Sequence, residues 1–398
     1  MTTVSTLRGS TWIAELDRRP VLLGALVVVL GYGPLLFLGP GTDLDVGGVY
    51  QAGRSILDGT YEVSRLPGAP VFETAVGVLH AIGGSFLVNL GSLVMTVVTA
   101  LAVVRLLGRE GHRYAEWFGL AVLVNPFVWV AGTSMVDYMW ATAFVLAGVN
   151  LQLSRRLVPA AVLYALAAGC RLSTLLLVAA VLVADGIGDP AARRRLAGLA
   201  AAVAVLSALI FLPPFLSLGL DFLQSEVPTS TLAVQVGRFA VKNFYFFGPV
   251  MVLLVMSAVP RLWRSLPSAW PTSTALRFGV FGLVATQLLF LRFPWKPAHL
   301  IPAWLALLLI LGATRVLSRN GVVVLLAAQL VLGVVTLNLA QPDQPDEATG
   351  GRFAPEILEG PLLRDIRCRI DGDQGVYRQA DPEAELLETW HCVIPWSE

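Results

Sequence analysis

The chain has 398 residues, 56% of them hydrophobic and 14% charged, with a mean hydropathy of +0.72 and a net charge of +1. This composition excludes an ordinary soluble domain, and a near-neutral balance with no basic segment excludes a nucleic-acid partner. Apolar runs of roughly 20 residues recur and are continuous rather than alternating, so the expected fold class is an all-α polytopic membrane protein and not a β-barrel.

Arg8, Arg18 and Arg19 precede the first apolar run, about 21–39. The run ends at Gly39-Pro40-Gly41, which is not a small-x-small cleavage site. Residues 1–20 therefore read as a cytoplasmic N-terminus ahead of an uncleaved signal anchor. Segment 40–84 is polar, charged and rich in glycine and proline, and is expected outside. Spans at about 85–108, 114–132 and 135–153 follow, with Arg105, Arg109 and Arg113, then Arg155-Arg156, on the cytoplasmic side.

The run Leu157–Ala184 is too long for a simple reading. Arg155-Arg156 precede it, Arg193-Arg194-Arg195 follow it, and Arg171 sits in its middle. A single crossing would leave one basic cluster outside and an arginine at mid-membrane, at a cost of at least ~2.5–3.5 kcal/mol. A hairpin of two short helices with Arg171 at its outer turn removes both problems. Further spans are predicted at about 197–218 (broken by Pro213-Pro214), 247–259, 276–291, 300–314 and 321–340. Segment 219–246, with Asp221, Glu226, Arg238 and Lys242, is predicted as an outer loop. The expected organisation is a transmembrane domain over 21–340, of about eleven or twelve membrane segments, and a small extracytoplasmic tail over 341–398. The long connections fall on the outer face, and the sequence contains no GxxxxGK[ST] phosphate loop and no HExxH zinc pair.

Chemistry is therefore sought in the outer segments. Asp43 and Asp45 lie just past the first span; the plainer role of Asp45 is to cap a short interfacial helix, and the sharper role is a general base. Tyr50 and Arg54 share that helix. In Ser64-Arg65-Leu66-Pro67-Gly68-Ala69-Pro70 the prolines make a rigid turn, Pro70 suits a helix start, and Glu73 falls in its first turn. Arg65, in that turn, suits a phosphate. Asp137 follows Gly132-Thr133-Ser134, and is a helix cap or a second functional acid. Arg171, Arg238, Lys242, Arg292 and Lys296 are basic groups expected at the outer edge, where they either snorkel or meet a lipid-linked phosphate. His299 reads as an interfacial polar residue. Cys170 lies in an apolar run, whereas Cys368 and Cys392 in the tail are a disulfide pair if the tail is extracytoplasmic.

Taken in order, Asp45…Tyr50…Leu57-Asp58-Gly59, the Arg65–Pro70 turn leading to Gly83-Gly84, Gly132-Thr133-Ser134-Met135-Val136-Asp137, Gly169-Cys170-Arg171 and Lys296…Leu300-Ile301-Pro302 resemble the GT-C superfamily of membrane glycosyltransferases. Relatives in that superfamily include protein O-mannosyltransferases, the lipid A aminoarabinose transferase, and actinobacterial mannosyl- and arabinosyltransferases. The likeness covers most of 20–315. The superfamily's Arg-Tyr before the late Leu-x-Pro is missing here, where His299 stands.

The resemblance implies a multi-pass enzyme of the cell membrane with its N-terminus cytoplasmic and its active site extracytoplasmic. It transfers a sugar from a polyprenyl-phosphate donor to a hydroxyl on a glycan, lipid or protein acceptor, with inversion. Asp45 or Asp43 is implied as the base, with Asp137 as a second catalytic acid. Arg65, Arg171, Lys296 and Arg292 are implied as phosphate ligands, and Tyr50, Glu73 and His299 as substrate contacts. No cofactor is required, although Asp45 and Asp137 could share a divalent Mg or Mn ion. Two rivals are weaker. A lipid or sugar transporter or flippase predicts internal repeats that are not visible, and a membrane acyltransferase predicts a catalytic histidine for which only His80 is at hand.

Overall fold

The computed structural model describes residues 19–43, 45–223, 231–341 and 352–370. Glu226, Cys392, most of the N-terminal segment 1–20 and much of the tail 341–398 lie outside the described residues.

The first apolar run forms helix α1 (Arg19–Leu35). A short helix α2 (Asp45–Leu57) follows, and then α3 (Pro70–Arg109), which begins with its proline in the first turn. Backbone amides of a first turn lack intrahelical partners, so proline costs nothing there. Helix α3 is broken at Gly83 and Gly84; Gly84 has φ +62°, a left-handed conformation that favours glycine. The segment before the break is the expected juxtamembrane helix, and the segment after it is the expected second span. Helix α2 crosses the juxtamembrane segment at two glycines. A Cβ on Gly77 would lie 2.4 Å from the Gly53 carbonyl oxygen, and a Cβ on Gly53 would lie 2.7 Å from Gly77 N. Backbone packs directly on backbone at this point.

The third span is split into α4 (Ala115–Val124) and α5 (Pro126–Ala131), because Pro126 cannot continue α4. Asn125 restarts the helix, its Oδ1 accepting from Phe127 N and Val128 N at 3.1 Å each. Then come α6 (Tyr138–Leu153), α7 (Leu157–Cys170) and α8 (Thr174–Gly188). The last two form the expected hairpin. Arg171 ends α7 by turning extended (φ −150°, ψ 112°), and its carbonyl accepts from Thr174 Oγ1 at 2.8 Å. Helices α9 (Arg193–Ile210) and α10 (Leu212–Leu218) meet just ahead of Pro213-Pro214, and the pair bends by 47°.

Helix α11 (Leu232–Ala269) corrects the expected outer loop over 219–246. From Leu232 the chain is helical: Thr231 Oγ1 caps it by accepting from Val234 N at 3.4 Å, the helix runs on through Gly237, and no proline intervenes before Gly248, at φ +72°. The long apolar stretch that starts at Gly248 conceals, to a hydropathy reading, the helix that precedes it. Helices α12 (Thr274–Arg292), α13 (Ile301–Ala313) and α14 (Arg319–Val334) complete the apolar set. The predicted last span, 321–340, is cut short at Val334. Its final residues, Val-Thr-Leu-Asn-Leu-Ala-Gln, alternate in the manner of a strand and form β1 (Val335–Gln341), paired antiparallel with β2 (Arg352–Glu359). Helix α15 (Pro361–Ile370) then packs back against α14 and α5.

Three described helices are each long and apolar enough to cross a bilayer: α3, α11 and α12. The bent α9–α10 pair qualifies as a fourth span, and seven shorter apolar helices surround these. The eleven or twelve membrane segments expected therefore correspond, among the described residues, to three or four helices of spanning length and a set of shorter apolar ones. The core is drawn chiefly from α3 to α7 and α13, with Phe72, Phe118, Tyr164 and Trp304 fully buried. Leu22, Leu30, Val205, Leu209, Leu253 and Leu288 are exposed instead. Apolar surface of this extent on one molecule suits a hydrocarbon solvent rather than water.

Candidate active site

Five separate stretches bring six charged side chains together. Asp43 and Asp45 come from the entry to α2, Arg65 from the turn before α3, and Asp137 and Arg171 from the entry to α6 and the α7–α8 turn. Lys296 comes from the segment between α12 and α13. Arg65 bridges two acids, at 2.7 Å from Asp45 Oδ2 and 2.5 Å from Asp137 Oδ2. Arg171 takes the other oxygen of Asp137 at 2.8 Å. Lys296 lies 2.6 Å from Asp43 Oδ1 and 2.9 Å from Asp45 Oδ1. Three acids face three bases, so the cluster is neutral as a whole.

Local structure explains each placement. The cap expected of Asp45 is supplied by Asp43, whose Oδ1 accepts from Asp45 N at 2.9 Å and whose carbonyl accepts from Val46 N at 3.1 Å. This is the Asx turn that starts α2. Among the described residues, the Asp45 side chain pairs with the cations Arg65 and Lys296 alone. The cap expected of Asp137 is also absent: Asp137 stands at the N-cap position of α6, yet its side chain makes no cap bond. Both of its oxygens are held by arginines, and it is 1% exposed against 22% for the Asp45 side chain.

Arg65 is presented by a loop that Glu73 folds. The buried Glu73 carboxylate accepts from Tyr61 OH at 2.6 Å, Ser64 N at 2.9 Å and Ser64 Oγ at 2.6 Å. Lys296 is buried, and its segment is fixed by Lys242, which donates from Nζ to the Trp295 carbonyl. The Arg238 guanidinium lies 5.7 Å from the Trp295 ring.

Electrostatics follow from this packing. Burial pushes the Asp45 carboxyl up, but Arg65 and Lys296 outweigh it and hold the group well below the usual carboxylate range. Burial works against the Lys296 ammonium, and Asp43 and Asp45 more than offset it, raising the group above its ordinary value. As arranged, all three acids of the cluster face cations. Arg65 also fills the space between Asp45 and Asp137 that a shared divalent ion would need, and no group of three or more metal-ligating side chains occurs among the described residues. As placed, Arg65 rather than a shared ion links Asp45 and Asp137.

Other expected site residues stand apart. Tyr50 packs edge-on against His80 at 4.7 Å and lies beneath Arg54, in a cleft of about 200 Å³ between α2 and α3. Arg292 ends α12 exposed and joins none of the cluster's ion pairs among the described residues. His299 stacks on Phe293 at 5.9 Å and leans on Tyr138 at 5.8 Å, at the edge of the cluster.

Tyr138 is the residue that the sequence did not mark. Arg171 lies 4.4 Å from its ring centroid, its side chain is buried, and its hydroxyl has no hydrogen-bond partner among the described residues. Its position directly after Asp137 was the available signal. Cys368 is fully buried, and its expected partner Cys392 lies outside the described residues.

No family model matches the chain, and no curated protein matches it. Two solved structures do. One is ArnT from Cupriavidus metallidurans in the apo state, 19% identical over 75% of this chain, with a TM-score of 0.56. The other is the same protein bound to undecaprenyl phosphate, 20% identical over 76% of this chain, with a TM-score of 0.55. The chain spans 60% and 61% of the lengths of those two chains. Identity this low speaks to architecture alone: over about three quarters of its length the chain has the fold of ArnT, built predominantly of helices as the sequence led one to expect.

Proposed function

We propose that this protein is a membrane glycosyltransferase that moves a sugar from a polyprenyl-phosphate donor to an acceptor hydroxyl, with Asp45 as general base and with inversion at the anomeric carbon. The observation that carries the reading is the neutral six-charge cluster. Three cations, Arg65, Arg171 and Lys296, are gathered on three carboxylates. A donor phosphate can take the place of the Asp43 and Asp45 carboxylates on Lys296 and Arg65 and share Arg171 with Asp137. That exchange releases Asp45, which is far more exposed than Asp137 and, unlike Asp43, makes no capping bond. Asp45 then takes the proton of the acceptor hydroxyl while the acceptor oxygen bonds to the anomeric carbon. The bond from that carbon to the phosphate oxygen breaks. The charge that builds on the departing polyprenyl phosphate is offset by the same three cations. Asp137 keeps both arginines oriented, and the Tyr138 hydroxyl is available to the bound sugar or phosphate. The undecaprenyl phosphate bound by ArnT supports a polyprenyl phosphate as the lipid partner here.

Binding of undecaprenyl phosphate to the purified protein in nanodiscs tests the cationic half of this reading. Lys296→Gln and Arg171→Gln are each expected to weaken it by about tenfold or more. Wild-type affinity in both variants would sink the phosphate assignment.

The same proposal puts the cluster on the extracytoplasmic face, with the N-terminus inside. Ser173 is exposed at the α7–α8 turn beside Arg171. In a cysteine-substituted Ser173→Cys protein, an impermeant maleimide added to intact cells is expected to label this turn. Labelling only after permeabilisation would put the turn, and the cluster with it, on the other side.

A further inference from the structure

Helix α15 carries two charged side chains that are almost entirely buried, Asp365 and Arg369, paired at 2.9 Å across one helical turn. Such a pair is poorly explained by stability, since apolar residues of similar size often serve a core as well or better. Its hydrogen bonds explain it better. Asp365 Oδ1 accepts from Thr42 Oγ1 at 2.7 Å, immediately before Asp43. Arg369 donates to the Thr133 carbonyl at 2.8 Å and to Ser134 Oγ at 2.5 Å, just upstream of Asp137. One ion pair therefore grips both stretches that present the acids of the cluster.

Those stretches also meet each other. Met135 N donates to the Pro40 carbonyl at 2.8 Å, and Gly41 approaches Ser134 so closely that a Cβ there would lie 2.7 Å from Ser134 Oγ. From the opposite side Asn89 Nδ2 donates to the Gly39 carbonyl at 2.7 Å and Ser92 Oγ to the Ser134 carbonyl at 3.0 Å. The two loops are thus pinned between α3 and α15.

We propose that Asp365 and Arg369 are positioning residues: α15 sets the spacing of the Asp43–Asp45 loop against Asp137, and so the geometry of the charge cluster. The helix that closes the described chain is in this sense part of the active-site frame. Its second-layer contacts touch no substrate and act through the backbone that carries the acids.

Two measurements on the full-length protein test this. The first is hydrogen exchange of the peptides spanning 38–46 and 130–140. Arg369→Leu and, separately, Thr42→Val are expected to speed exchange of the Met135 amide by about tenfold or more, with the α7–α8 hairpin unchanged. Thr42→Val removes a single half-buried hydroxyl at nearly constant volume and decides the matter if Arg369→Leu does not fold. The second is kinetics. The activity arm rests on the proposed sugar transfer: Thr42→Val is expected to lower kcat by about tenfold with the donor KM within about threefold, because donor cations are kept while the base is misplaced. Unchanged Met135 exchange in the folded variants overturns the proposal. Faster exchange together with no transfer activity even in the wild-type protein would leave the positioning role standing and reject the glycosyltransferase reading instead.

Discussion

Asp45→Asn is expected to lower the rate of sugar transfer by about 10²–10⁴-fold, the range over which a positioned general base contributes. The substitution is nearly isosteric, and Asp43 rather than Asp45 makes the capping bond that starts α2. The helix should therefore persist, and undecaprenyl phosphate should still bind. Asp43→Asn is the matched control. Asparagine keeps the cap, and only one ion pair, that with Lys296, is lost. A loss of less than about tenfold is expected there, since the base itself is untouched. The comparison is made by kinetics with a labelled lipid-linked sugar in purified membranes. If Asp43→Asn is the dead variant and Asp45→Asn the active one, the two acids exchange roles. Full activity in both removes the general-base mechanism.

Asp137→Asn is the substitution with the largest expected effect on stability. The carboxylate is buried and is the shared counter-ion of two arginines, Arg65 and Arg171. Removing one partner from a buried ionic group costs about 3–5 kcal/mol, most of it for the charges left behind. Arg65 retains Asp45, so the burden falls on Arg171, whose side chain is 20% exposed. Thermal unfolding in detergent should show the loss directly. The double variant Asp137→Asn with Arg171→Gln should recover part of it, because the stranded cation is then gone. A double variant no more stable than Asp137→Asn alone would show that Arg171 is not what Asp137 neutralises.

Much of this site could be read from the chain because charge at the end of an apolar run is expensive and seldom idle. Arg171 is the clearest instance: no single span could hold it, and the hairpin that the argument required is the hairpin that forms. Asp45, Arg65, Asp137 and Lys296 were marked for the same reason. What remained hidden was pairing. Arg65 joins Asp45 to Asp137, and Lys296 joins both loop acids, across separations that no local pattern records. The cap was assigned to the wrong neighbour because an Asx turn is decided by backbone direction, and both aspartates satisfy the composition rule equally. Glu73 and Tyr50 were grouped with the site on residue type, whereas the fold spends Glu73 on the loop that carries Arg65. Tyr138 was lost inside an apolar run. Arg369 and Asp365 were lost for the opposite reason, since two charges in a polar tail give no hint that the fold buries them. Segment 232–247 was read as loop because hydropathy reports solvent preference and not helicity.

The glycine crossing of α2 and α3 constrains the sequence at two positions together. At Gly53 and Gly77 an added methyl group would meet main-chain atoms, which cannot rotate aside. Asp45 rides on one of these helices, and the turn bearing Arg65 is the link between them. Any chain that keeps this charge geometry is therefore constrained at both glycines jointly, while the lipid-facing residues around them are free to drift. A search keyed to that spaced pair, with an acid ahead of the first glycine and a base between the two, would retain discriminating power where overall identity near 20% has lost it. The fingerprint of this protein is then partly a pattern of missing side chains.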